Sequence, residues 1–157
     1  MFNNNVVVVP KKIFVTAVSA EGSTPINALD NCLVKAGLSR ISLIKLTSIL
    51  PHNIELLESP PKYPGGANVP AIYSYVTSST PNEVISAGIA LGFTEDVTLV
   101  AEHSEVGKDK KYIEDYVKKM VYEMASVRGL TISKLIIKSV EHKVKQIGCA
   151  LAIVVQI

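Results

Sequence analysis

Few residues in this chain carry reactive groups at suggestive positions, and one pair stands at the end of an apolar run. Arg40-Ile41-Ser42-Leu43-Ile44-Lys45-Leu46 leads into Thr47-Ser48, and Ile49-Leu50-Pro51 follows. A serine hydroxyl is a nucleophile once a base or its surroundings activate it. Adjacent hydroxyl residues at a strand end also serve as turn residues, and spacing alone favours that reading. No G-x-S-x-G elbow surrounds Ser48, so a hydrolase triad has no support. Glu102 closes the apolar stretch Leu99-Val100-Ala101. A carboxyl there is either solvated or half-buried with a raised pKa, and the second state suits a general acid. His52, His103 and His142 show no HxH or HExxH spacing, so no metal site is expected. His103 and His142 read as core or surface histidines rather than bases. Gly22, Gly65-Gly66 and Gly107 do not form a phosphate-cradling loop.

The elements around these residues follow from periodicity and capping. Val6-Val7-Val8-Val9 and Lys12 to Val18 are β-branched runs broken by Pro10, giving two short strands or a bent one. Thr24-Pro25 opens a helix with a hydroxyl cap and proline at the first helical position. Ile26, Leu29, Leu33 and Ala36 share a face and Gly37 ends the helix; Asp30, four residues after Ile26, lies at the edge of that stripe. There it is either solvated or points into a crevice at a subunit boundary. Residues 40–47 predict the strand that delivers Ser48. The Pro- and Gly-rich loop Ser59 to Asn68 is long enough to wrap around something. Val69 to Ser78 is a strand, and Glu83 to Phe93 fits helix or strand. We read the latter as a strand, because Thr94-Glu95-Asp96 then turns into Val97 to His103. Asp109 to Val127 is a helix with the stripe Ile113, Tyr116, Val117, Met120, Val121, Met124 and Val127. Thr131 to Val144 is a strand, and Gln146 to Gln156 its antiparallel neighbour. Two helices against antiparallel strands joined by hairpins make this an α+β chain.

Composition narrows the class further. The 157 residues suit a single domain, and 48% of them are hydrophobic. The mean hydropathy of +0.31 is high, yet no apolar run approaches the roughly 20 residues that span a bilayer. Met1-Phe2-Asn3-Asn4-Asn5 lacks the basic start of a signal peptide, so a cytoplasmic protein without membrane contact is expected. Excess apolar surface predicts an oligomer. A net charge of +2 is too mild for a nucleic-acid partner. Lys108, Lys110, Lys111, Lys118 and Lys119 alternate with acids on a solvated helix face. Cys32 and Cys149 read as buried small hydrophobes in a reducing compartment.

Four segments together carry a resemblance: Ala20 to Asp30, Leu43 to Pro51, Val140 to Val144, and Gly148-Cys149-Ala150. In order and approximate spacing they resemble the archaeal-type pyruvoyl-dependent arginine decarboxylases over nearly the whole chain. The resemblance implies an αββα sandwich, assembled as a homotrimer or stacked hexamer with active sites between neighbouring subunits. It implies that Ser48 becomes a covalent pyruvoyl cofactor, with no metal. In that reaction the Ser48 hydroxyl attacks the Thr47 carbonyl, the amide becomes an ester, and β-elimination cuts the chain. The dehydroalanine left at position 48 then hydrolyses to a ketone and ammonia. A sharp bend before Pro51 would help expose that carbonyl. The products are a β chain of residues 1–47 and an α chain of residues 48–157, which decarboxylate arginine to agmatine for polyamine synthesis. Glu102 matches the proton donor and Asp30 the carboxylate that holds the guanidinium. The sequence departs from the pattern at Ser42, where the family has Asn six residues before the cleavage serine, and in pairing Thr rather than Ser with Ser48. Decarboxylation of another amino acid and a non-cleaving binding homologue are the alternatives.

Overall fold

Two strands of this chain are apolar on both faces, and they dictate the layering. The computed structural model describes residues 7–157. In it β6 (Val84–Phe93) and β9 (Gly148–Gln156) are buried along nearly their whole length. A strand can hide both faces only if a layer covers each side of its sheet. β9 is the centre of a five-stranded sheet in the order β2-β5-β9-β1-β4, with β1 (Lys12–Glu21), β2 (Ser42–Lys45), β4 (Glu55–Leu56) and β5 (Asn68–Ser78). β6 lies inside a four-stranded sheet, β3-β7-β6-β8, with β3 (Ile49–Pro51), β7 (Val97–Val106) and β8 (Lys134–Lys143). The sheets face each other through Ile13, Ile72, Ile85, Ile89, Leu91, Val100 and Val154. Helix α1 (Pro25–Lys35) covers the outside of the first sheet and α2 (Lys110–Val127) the outside of the second. The result is an αββα sandwich of the α+β class.

Small residues set how closely the helices dock. Along β6, alternation turns Ile85, Ala87, Ile89 and Leu91 toward the other sheet. Gly88, Ala90 and Gly92 therefore face α2. A Cβ at Gly88 would overlap Ile113 Cγ2, and one at Gly92 would sit 3.0 Å from Val121 Cγ2. Of the expected α2 stripe, Ile113, Val117 and Val121 are buried and Val127 is exposed; Ala125, outside that stripe, completes the buried row. On α1 the buried row is Ala28, Cys32 and Ala36, of which only Ala36 belongs to the expected stripe. Leu29 and Leu33 flank that row half-buried, and Ile26 is 80% exposed. Small side chains win the interface because they let the helix backbone approach the sheet. Both cysteines are buried and free, with the Cys32 thiol 3.4 Å from the Cys149 carbonyl.

Other expectations need correction. Val7, Val8 and Val9 are irregular and exposed, and Val6 lies outside the described residues. The ladder begins only after Pro10, which has no N–H to give; Lys11 and Lys12 then bond to the Ile157 carbonyl. The long strand expected from Thr131 starts at Lys134, and β9 is not the neighbour of β8. β8 pairs with β6, β9 pairs with β1 and β5, and residues 144–147 carry the chain between sheets. The doubly apolar β9 takes the covered centre of the first sheet, which an edge beside β8 does not offer. One hairpin is as expected, β6 to β7. Its turn is closed by the Thr94 hydroxyl, which donates to the Val97 carbonyl and accepts from the Asp96 and Val97 N–H groups. The loop after β4 does wrap: Pro60 packs against Gly37 and the Tyr63 hydroxyl donates to the Gln156 carbonyl at 3.0 Å.

The Gly88 contact gives a direct check on the α2 interface. Gly88→Ala is expected to destabilise the chain by about 1–3 kcal/mol through overpacking, seen as a lowered melting temperature. An unchanged melt would contradict the close docking of Ile113.

Candidate active site

The strand expected to deliver Ser48 ends two residues early. β2 stops at Lys45, and the Leu46 N–H makes the final bond to the first sheet, 2.8 Å from the Ala71 carbonyl. The Ser48 carbonyl makes the first bond to the second sheet, accepting from the Val100 N–H at 2.8 Å. β3 then runs antiparallel to β7 with Ile49 opposite Leu99. Leu46, Thr47 and Ser48 thus cross between the edge strands of two different sheets. Among the described residues the Thr47 carbonyl, the Thr47 and Ser48 N–H groups and both hydroxyls have no hydrogen-bond partner. Thr47 is exposed and Ser48 half-buried. Neither is among the described non-glycine residues with positive φ, which are Asn53 and Asn82. The Thr47 carbonyl is left free where the chain changes sheet, and the chain bends at Ser48, ahead of Pro51, without a left-handed backbone angle.

The same register brings Glu102 close. Ser48 stands opposite Val100, and Glu102 is two residues further along β7, roughly 7 Å by strand geometry. Val100 belongs to the core between the sheets, and the Ser104 hydroxyl meets the Ser74 hydroxyl of β5 at 2.7 Å. Glu102 lies between them in the alternation, so it faces the first sheet from the second. Burial pushes its pKa up to about 7, and the charge of Lys45 only partly opposes this. Lys45 reaches over the Tyr73 ring, 5.0 Å from its centre. Sequence reasoning did not single out Lys45; its signal was a cation closing an apolar strand three residues before Ser48.

Ser42 lies at the start of β2, opposite Asn68, and is exposed. Leu43 packs under α1, so alternation gives Ser42 the face that looks toward the second sheet, as Glu102 looks toward the first. Ser42, Thr47, Ser48 and Glu102 therefore share one side of the sandwich. Asp30 does not join them. It is exposed on α1, which touches β1, β5 and β9 and no strand of the second sheet. Asp30 sits in a row with Ile26 and Val34, four residues to either side and 80% and 53% exposed. The expected edge of the buried stripe is in fact a solvent-facing carboxylate between two exposed apolar side chains.

His103 and His142 are both accounted for by packing partners. His103 stacks on Tyr116 with ring centres 4.1 Å apart, and His142 binds Glu21 and Ser19. For Glu21, burial would raise the pKa. Hydrogen bonds from the Gln146 N–H, His142 and the Lys145 N–H outweigh it and hold the carboxyl below its usual range.

Residues 12–157 match the family described as pyruvoyl-dependent arginine decarboxylase. Curated relatives carry the same name. The protein from Methanothermobacter thermautotrophicus is 38% identical over 148 residues, covering 94% of this chain and 97% of that one. The one from Pyrococcus furiosus is 40% identical over 141 residues, 88% of this chain and 89% of its own. The one from Methanocaldococcus jannaschii is 38% identical over 145 residues, 91% and 87% of the two chains.

Glu102 makes a stability prediction with a definite sign. Its folded-state pKa of about 7 exceeds its ordinary value of 4.5, so the folded state holds an extra proton between those values. Stability therefore falls as pH rises through that window. Glu102→Gln removes the buried charge, so the variant is expected to melt above its parent at pH values over 7. The difference should close below about 4.5. Parallel melting curves at all pH values would contradict a buried, raised carboxyl.

Proposed function

This chain belongs to the pyruvoyl-dependent arginine decarboxylases, which makes it a carboxy-lyase, and from that premise we propose how its residues divide the work. Arginine is the substrate, agmatine and carbon dioxide are the products, and the cofactor is made from Ser48 by cutting the Thr47–Ser48 bond. The observation that carries this reading is the crossover. A half-buried serine follows a carbonyl that neither sheet holds, and a half-buried acid lies two residues along the adjoining strand. Position 48 fits the group: Ser48 Oγ has no hydrogen-bond partner among the described residues, and the Thr47 carbonyl it must attack is equally free.

When formed, the pyruvoyl group supplies the electron sink that lets an amino acid lose its carboxylate. The chain's own residues do the rest. Glu102, protonated up to about pH 7, holds the proton that the substrate's α-carbon takes once carbon dioxide has left. Asp30 binds the guanidinium through paired charge-assisted hydrogen bonds. Ser42 shares the face of Glu102 and fixes the substrate's polar end by a hydroxyl in place of the family's amide.

Asp30 must come from a neighbouring subunit in this reading, because α1 lies on the far side of the first sheet from Glu102. The exposed Ile26 and Val34 beside Asp30 support an interface there. A homotrimer, or two stacked as a hexamer, with inter-subunit sites meets this requirement. The shorter Ser42 side chain leaves a second reading open, the same chemistry on another amino acid.

Carbon dioxide release measured across amino-acid substrates distinguishes the two, with arginine expected to be preferred. Asp30→Ala is expected to raise KM for arginine steeply with chain cleavage intact. Glu102→Gln should cleave normally and lose roughly 10²–10⁴-fold in turnover. Co-assembled Asp30→Ala and Glu102→Gln subunits should regain part of the activity, since a mixed interface restores one complete site. Full activity in either variant, or no recovery in the mixture, would overturn the corresponding assignment.

A further inference from the structure

The helix that carries Asp30 rests on a carboxylate held by hydrogen bonds at the end of β1. Glu21 is the last residue of β1, three residues before the Thr24 cap of α1. Its Oε2 accepts from His142 Nε2 at 2.5 Å, and the other ring nitrogen of His142 lies 3.1 Å from the Ser19 hydroxyl. Its Oε1 accepts from the backbone N–H groups of Lys145 at 3.1 Å and Gln146 at 2.7 Å. His142 belongs to β8 of the second sheet, and residues 145–146 lie in the segment that returns to the first. One carboxylate therefore ties the end of β1 to the crossing between sheets.

The clamp is handed on to α1 through short, direct contacts. The Glu21 carbonyl accepts from Asn31 Nδ2 at 2.9 Å, and Asn31 is the residue next to Asp30. The Ser19 carbonyl accepts from Lys35 Nζ at 3.0 Å, one turn further along the helix. Gly22, whose N–H bonds to the Ile147 carbonyl at 3.0 Å, lies so close under α1 that a Cβ there would overlap the Ala28 amide nitrogen. The helix is thus pressed on Glu21-Gly22 with no side chain between, and any shift of Glu21 moves it.

We propose that Glu21, held by His142 and the Lys145–Gln146 amides, is a positioning residue for substrate recognition that fixes α1 and so the point where Asp30 meets the guanidinium. This rests on the assignment of Asp30 to the guanidinium given above. Charge-assisted hydrogen bonds have a narrow geometry, and a misplacement near 1 Å costs up to about 10²-fold. Loss of the clamp weakens the hold on the substrate and leaves Ser48, in the crossing before β3, and Glu102, on β7, in place.

The test is steady-state kinetics on fully cleaved, assembled enzyme for Glu21→Ala, Asp30→Ala and the double variant, with Asn31→Ala as the milder cut of the same link. Glu21→Ala is expected to raise KM for arginine roughly 5–20-fold with kcat within about twofold. In the Asp30→Ala background it should have no further effect on kcat/KM. A clamp that serves stability alone would lower the melting temperature without this split. If Asp30→Ala raises KM but Glu21→Ala and Asn31→Ala do not, or if the two effects multiply, the inference is overturned while the guanidinium assignment stands. An unchanged KM in Asp30→Ala overturns that assignment, and the inference with it. Should Glu21→Ala fail to fold, Asn31→Ala alone decides between these outcomes.

Discussion

At Leu46–Ser48 the chain has to leave one sheet and enter another within three residues, and everything proposed for this molecule depends on that crossing. Both sheets spend their hydrogen bonds up to its edges: Ala71 takes the last from Leu46, and Val100 gives the first to Ser48. The peptide between them belongs to neither ladder. Backbone groups inside a sheet are committed to their partners, whereas groups in a crossing are available to a nucleophile or to water. The unpaired groups at Thr47–Ser48 therefore have a topological source, and neither residue has a left-handed backbone angle.

The four-layer packing gives the crossing its surroundings. Because β6 and β9 are covered on both sides, much of the apolar composition is used inside one chain. β2 and β3 remain as edges, and Glu102 on β7 is left half-buried next to β3. The cost of a charge there keeps the acid protonated near neutrality, the state a proton donor needs. The sandwich also separates Asp30 from Glu102 by a whole sheet, so the proposed roles in recognition and proton transfer fall to different layers. The Glu21–His142 contact spans those layers at the other end of β1.

Local features were legible in the sequence. The Thr24 hydroxyl accepts from the Asn27 N–H, and Thr94 closes the β6–β7 turn. Each is set by neighbours in the chain. What needed the structure was non-local. Alternation shows that β9 is apolar but not which strands flank it, so its placement beside β8 failed. The α1 stripe was drawn mainly through large residues, while close docking selected Ala28 and Cys32. Ser48, Glu102 and Asp30 stood out by position, but their roles, and Ser42 altogether, came from the resemblance; position alone favoured a turn at Ser48 and left Glu102 and Asp30 open to a solvated reading. Glu21 escaped notice because its partner His142 lies 121 residues away.

The central claim concerns one peptide bond, and intact mass under denaturing conditions reads it directly. The purified protein is expected to show no species at 16.9 kDa. It should give two chains, residues 1–47 and residues 48–157, the second with a blocked, ketone-bearing start in place of serine. A single uncut chain with Ser48 unchanged would contradict the proposal that this protein makes its own cofactor at the crossing.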